Sequence, residues 1–403
     1  MNTLRSRSER AAAIALAIAV IAGFVAILLH LGSFYWFHGD EWVFLTRRMS
    51  GSLLQPHNEH LAVVPILVYR LLFALGSIES YTLYQIPVLT AHLGTAVLLW
   101  LIMRRCEVNP WIATALATVF IFFGPGEENI IWAFQVGFTG ALFLGLAQLL
   151  LADHEGGHGA RDAAGLALGL GALLSAGFTP VLVAATGAVA LVRRGWGPAL
   201  FHTVPLAIVY LSWWLAVGPE SIGDPYGRAM DPGAVLHFVY TAYRGVFLGL
   251  AGFPALAAVY CAGLGMGLVA AYARMPPAEV LRRAVLPLGL LGAGLFLVAV
   301  AGYSRWWISD DAGAQSRYLH LATALTLPAF AVAIDALTRW WKPAVIAACL
   351  LLISVLPANI AQFGNQPLST KNTLRSASGC LCLSPTRRTH SRSLRKPARI
   401  PYS

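Results

Sequence analysis

Residues 11–32 read AAAIALAIAVIAGFVAILLHLG, 22 residues with one histidine and no Asp, Glu, Lys or Arg. A bilayer core takes about 20 mostly apolar residues per helix. Without water to pair with the backbone, such a stretch has to be helical. Arg5, Arg7 and Arg10 precede it, as they would a secretory signal. The apolar run is too long for a signal core, however, and no small-residue cleavage pattern follows, so it reads as a first membrane span. Similar runs recur at 81–103, 130–152, 199–217, 252–273, 284–302, 319–337 and 344–362, with a shorter one from Pro110 to about Gly124. Residues 163–192 are thirty residues without a charge, broken at Ser175–Pro180, and read as two short helices meeting at a turn. The expected fold class is all-α, a polytopic transmembrane bundle of about 11 spans.

Composition agrees. Of 403 residues 58% are hydrophobic and 11% charged, and mean hydropathy is +0.67. Soluble globular chains carry about 25% charged residues, so a water-soluble enzyme, a disordered regulator and an ordinary nucleic-acid-binding domain are excluded. The net charge of +10 invites a nucleic-acid partner, but eight Lys/Arg and no Asp/Glu lie in residues 364–403, leaving 20 basic against 18 acidic residues in 1–363. We therefore divide the chain into a nearly neutral membrane domain, 1–363, and a basic tail, 364–403.

Arginine and lysine in short loops set orientation. With the N-terminus cytoplasmic, thirteen fall inside and seven outside before the tail. That balance is lost if 62–78 crosses the membrane or if 163–192 is one helix. Residues 62–78 accordingly read as an interfacial helix in the first extracytoplasmic loop, with Arg70 snorkelling to headgroups. The five cysteines offer no disulfide framework.

This orientation puts eleven of eighteen carboxylates outside, including three adjacent pairs, Asp40-Glu41, Glu127-Glu128 and Asp310-Asp311. Two like charges ~4 Å apart repel by roughly 4 kcal/mol at an effective dielectric of 20. In a partly dry cleft such a pair needs a cation, an arginine or a shared proton. The loop 33–80 holds the densest chemistry: Trp36-Phe-His-Gly-Asp-Glu-Trp42, then Arg47-Arg48-Met49, then Pro56-His-Asn-Glu-His60. A helix over Asp40–Met49 would place its carboxylate and arginines to suit the dipole. His57 and His60, spaced i, i+3, could share a helix face around a divalent metal ion, with Glu59 between them. The alternatives are hydrogen bonds to an acceptor and contacts with headgroups.

The run Gly39-Asp40-Glu41-x-x-Phe44-x-x-Arg47-Arg48-Met49 resembles the opening loop of GT-C-fold glycosyltransferases that use polyprenyl-phosphate sugars. These include the aminoarabinose transferases, the protein O-mannosyltransferases and the rhizobial galacturonosyltransferases. Residues 65–105 are similar too, as a surface helix, a small-residue turn and a span ending in Arg104-Arg105. The resemblance implies an inverting transfer of a sugar to a lipid, glycan or protein acceptor at the extracytoplasmic face of the cell (plasma or inner) membrane. Carried over, Asp40 is the base that deprotonates the acceptor hydroxyl, with Glu41 its neighbour, and Glu127-Glu128 a second acidic position. A departing phosphate needs a cation. Arg317, in Gln315-Ser-Arg-Tyr318, is the first choice, with Arg305 and Arg47 behind it, because a guanidinium binds phosphate oxygens in pairs. Trp306-Trp307 reads as aromatic belt.

Other functions stay open. A transporter or lipid flippase places ionisable groups near the bilayer midplane, where these spans hold almost none; His92 and His202 read as packed core. A non-catalytic envelope-assembly protein would keep the bundle without the reaction. The tail is either a basic arm for anionic headgroups or a non-native end from a frameshift or truncated gene, and its break in composition favours the latter.

Overall fold

The computed structural model describes residues 2–217 and 231–363; the tail at 364–403 lies outside them. Sixteen α-helices follow one another in the described residues. They are α1 (Asn2–Ala26), α2 (Glu41–Leu45), α3 (Val63–Gly76), α4 (Tyr81–Arg105), α5 (Pro110–Ile121), α6 (Glu127–Ile131), α7 (Val136–Ala152) and α8 (Ala160–Leu173). Then come α9 (Thr179–Arg194), α10 (Trp196–Val217), α11 (Pro232–Ala251), α12 (Pro254–Tyr272), α13 (Pro277–Arg305), α14 (Ser316–Thr338), α15 (Lys342–Ile353) and α16 (Leu356–Ile360). Nine helical segments among the described residues are long and apolar enough to cross a membrane. The chain is an all-helical, multi-pass membrane protein.

Local chemistry explains several boundaries. Asn109 caps α5 by accepting from the Trp111 N–H at 2.9 Å, with Pro110 at the first helical position. The expected break at Ser175–Pro180 is present: α8 and α9 form a hairpin of 14 and 16 residues. Its base is pinned where Arg194 meets Asp162 at 2.6 Å, and His202 and His154 bind the same carboxylate at 3.0 and 3.2 Å. Its tip reaches α3, where the Val64 N–H donates to the Leu174 carbonyl at 2.9 Å.

Helix α14 is the axis of the bundle. It is buried on nearly every side from Tyr318 to Ala333, as a helix apolar all round must be. A chain of polar groups crosses its N-terminal half. His92 Nε2 meets the Ile121 carbonyl at 3.1 Å, His92 Nδ1 meets His320 Nε2 at 3.0 Å, and Asn129 Nδ2 meets His320 Nδ1 at 3.4 Å. With each imidazole carrying its proton on Nε2, every ring nitrogen has a partner, so the pair is structural, as a packed core requires.

The loops gather at two ends of opposite character. At one, Glu59 pairs with Arg305 and Glu128 with Arg317. At the other, Glu9 meets Arg104, Asp153 meets Arg105 and Arg193, and Glu107 meets Arg283. The first is called the acidic end below, the second the basic end.

Helix α11 has no counterpart among the spans read from the sequence, which left 218–251 in a loop. It is long enough to cross, and several of its neighbours lie at the acidic end. Phe238 sits against Tyr318, with ring centroids 5.3 Å apart, and Cβ atoms built on Gly245 and Gly249 would meet Leu319 and Phe123. It also packs further along α13 and α14: Tyr243 reaches Gly294, and Phe247 lies 6.2 Å from Phe330 between ring centroids.

Candidate functional site

The first loop folds around buried Glu41. Its carboxylate accepts from the hydroxyls of Tyr69 at 2.6 Å and Tyr81 at 3.2 Å and from the His38 N–H at 2.9 Å. Burial raises its pKa to about 7, against the pull of these donors. A carboxyl pKa raised on folding stabilises most below the unfolded value and loses that contribution as pH rises through the folded one. The thermal midpoint of the purified protein should therefore fall between about pH 4.5 and pH 7, and Glu41→Gln should flatten that fall. An unchanged slope in the variant would assign the fall to other groups.

Helix α2 stops at Leu45 rather than running to Met49. The cause is Arg48, which is buried and donates to the carbonyls of Ser52 (3.2 Å), Gln55 (2.9 Å) and Pro56 (2.5 Å). Arg70 is not a snorkelling side chain: it donates to the carbonyls of Arg48 at 2.7 Å and Gly51 at 2.6 Å, tying α3 to the loop. Arg47 points outward, exposed, and does not line the cleft described next.

His57 and His60 do not share a helix face. They are paired across a two-residue turn by reciprocal backbone bonds of 2.9 Å. Asn58 and Glu59 between them have φ of +47° and +69°, as a primed hairpin turn requires at both central positions. Asparagine tolerates this region; glutamate is strained there by roughly 1–3 kcal/mol. The turn lets Asn58 Nδ2 donate to Asp40 Oδ2 at 2.8 Å and sends Glu59 to Arg305 Nη2 at 3.1 Å.

These groups meet on one open cleft of about 410 Å³ at the acidic end. Asp40, His57, Glu59, His60, Arg305, Arg317 and Tyr318 all line it. Asp40 is partly exposed, and His57 Nε2 stands 3.9 Å from its Oδ2, too far for a hydrogen bond. His57 and the Asn58 bond hold its pKa below the ordinary value, and the charge of Arg317 adds to this. Burial and the charge of Arg305 bring His60 down to about 4, so it is neutral at physiological pH. Arg317 is oriented by Gln315 Oε1 at 2.7 Å and stands 3.9 Å from Glu128. Trp307, Phe134 and Phe138 supply apolar wall, and Trp307 thus has a place in the cleft beyond an aromatic belt.

The second acidic position divides. Glu127 is buried, accepting from the Tyr35 hydroxyl at 2.6 Å, and does not line the cleft. Glu128 does not line it either but touches a residue that does, accepting from Gln135 Nε2 at 2.9 Å while its N–H donates to Ser316 Oγ at 2.9 Å. Asn129 then donates to the Arg317 carbonyl at 3.1 Å, so α6 sets the start of α14 and with it Arg317. Among the described residues no three His, Cys, Asp or Glu side chains converge as a metal site.

Sequence alone missed the tyrosines. Tyr35, Tyr69 and Tyr81 are 28 to 92 positions from the carboxylates they bind, and no local pattern marks them. Asn58 and Gly177 were legible in principle. Asn at the first of two residues between matched neighbours is a hairpin signal, and Gly177 sits at the tip of the α8–α9 hairpin, where a Cβ would lie 2.5 Å from His60 Nδ1. Gly177→Ala should displace the His60 ring and cost roughly 1–3 kcal/mol, read as a lower thermal midpoint. An unchanged midpoint would mean that the hairpin tip does not brace the cleft.

Compared with models of known families, with characterised proteins and with solved structures, the chain matches none.

Proposed function

We propose that the protein is an integral-membrane glycosyltransferase. It moves a sugar from a polyprenyl-phosphate donor to a lipid, glycan or protein acceptor with inversion, in the cleft at the acidic end. That end faces the extracytoplasmic side of the cell membrane, and α3 lies at the interface there. The observation that carries the proposal is that one cleft holds a carboxylate, Asp40, and two arginines, Arg305 and Arg317.

Asp40 is ionised, and its Oδ2 is held by Asn58. It takes the proton of the acceptor hydroxyl as that oxygen bonds to the anomeric carbon. The bond from this carbon to the phosphate oxygen breaks, and its electron pair leaves with polyprenyl phosphate. Arg317 and Arg305 hold the phosphate as its charge grows, where oriented donors stabilise a departing anion most. Glu59 already occupies Arg305, so the donor phosphate displaces or shares that contact. Trp307 and Phe134 offer faces for the sugar ring. Glu41 and Glu127, both enclosed, hold the loop that carries Asp40 and touch no substrate.

The test is transfer of label from a radiolabelled polyprenyl-phosphate sugar in membranes containing the protein. Chain-dependent labelling of an acceptor supports the proposal. Movement of intact donor across the bilayer without transfer would reassign the protein as a flippase.

A further inference from the structure

The basic end carries a second cleft, of about 400 Å³, none of whose groups serves the reaction above. Five arginines line it: Arg105, Arg193, Arg282, Arg283 and Arg339. Three are committed. Asp153 holds Arg193 through two 2.7 Å bonds and Arg105 at 3.3 Å, and Arg283 is shared between Glu107 at 3.1 Å and Glu279 at 3.0 Å. The other two are open. Arg339 stands 3.9 Å from Asp335, beyond hydrogen-bond reach. Arg282 enters no ion pair with a described residue, and both side chains are exposed. The carboxylates Asp153 and Glu107 are thus already balanced, while Asp335, Glu155, His154, Cys106 and Tyr272 complete the titratable lining.

Exposed apolar side chains adjoin the open pair in sequence. Leu281 precedes Arg282 and is 57% exposed; Trp340 and Trp341 follow Arg339 and are 81% and 65% exposed. A soluble anion would use the guanidinium forks alone. Forks set beside exposed leucine and tryptophan suit a ligand with a phosphate and acyl chains on one molecule.

We infer that this cleft binds the headgroup of an anionic glycerophospholipid, with its phosphate on Arg282 and Arg339. Its acyl chains lie against Leu281, Trp340 and Trp341. The site is independent of the transferase reaction and stands or falls separately from it.

The full chain in detergent can be titrated with dioctanoyl phosphatidylglycerol, dioctanoyl phosphatidylcholine and inorganic phosphate, with bound lipid counted by native mass spectrometry. An arginine near a headgroup is worth roughly fivefold in binding. Phosphatidylglycerol should therefore bind well above phosphatidylcholine, and R282Q/R339Q should lose roughly 30-fold of that preference. R161Q, at the same end but off the cleft, should keep it. Equal binding of the two lipids, or equal loss in R161Q, would overturn the inference. So would displacement of phosphatidylglycerol by inorganic phosphate at matching concentration, which would make the ligand a free anion. Both substituted arginines are solvent-exposed, and an unchanged thermal midpoint will confirm that the double variant folds.

Discussion

Asp40→Asn should lower transfer by roughly 10²–10⁴-fold, the span a positioned general base contributes, with a small effect on stability. The substitution keeps the volume and an oxygen that can accept from Asn58 Nδ2, a bond now 2.8 Å long. It removes the group that receives the acceptor proton. Asp40 is the one carboxylate of its pair that reaches the cleft; Glu41, its neighbour, is fully enclosed by Tyr69, Tyr81 and the His38 backbone. Glu41→Gln should therefore affect stability more than chemistry, the reverse of Asp40→Asn. The depressed pKa of Asp40 adds a pH signature. Activity should persist as pH falls to the ordinary carboxylate range near 4 and decline only below it, as far as the fold survives. The contrast between the two adjacent acids is measurable in one membrane preparation by comparing label transfer with the thermal midpoint.

Arg317→Gln should cost roughly 10²–10³-fold in kcat, the loss seen when a donor aimed at developing charge is removed. A smaller change should appear in KM, because the phosphate charge grows as the bond breaks. Glutamine leaves a donor but no charge and no planar fork. The Asn129 bond to the Arg317 carbonyl and the packing of Tyr318 on Phe238 do not use the guanidinium and keep the segment in place, so the fold should survive. A variant that loses KM alone would mean that Arg317 binds the ground-state donor without aiding its departure. Glu59→Gln probes the neighbouring cation from the other direction, because it releases Arg305 from a 3.1 Å ion pair.

The sequence carried the parts that obey local rules. Apolar runs marked the helices, a Ser–Pro break marked the α8–α9 hairpin, and the spacing of arginine pairs separated two ends that ion pairs now define. The cluster Asp40, His57, Glu59, His60 was visible because charge is scarce in this chain. What escaped was set by tertiary contact. Arg48 ends α2 by binding carbonyls four to eight residues on, where dipole logic alone expected the helix to continue. Three tyrosines from distant segments bury two of the six paired acids, and nothing in a local window separates Glu41 from Asp40. Helix α11 had signals that were outweighed: Asp231 caps it, accepting from the Gly233 N–H at 2.8 Å, Pro232 opens it, and Gly252 closes it at φ +82°.

The most direct measurement places wild-type protein and Asp40→Asn in matched membranes carrying acceptor and radiolabelled polyprenyl-phosphate sugar, and follows label from donor to acceptor. The account predicts protein-dependent transfer by the wild type, with release of unlabelled polyprenyl phosphate, and at least about a hundredfold less transfer by Asp40→Asn. Full transfer by Asp40→Asn, or loss of label from the donor leaflet with no labelled acceptor, would contradict it.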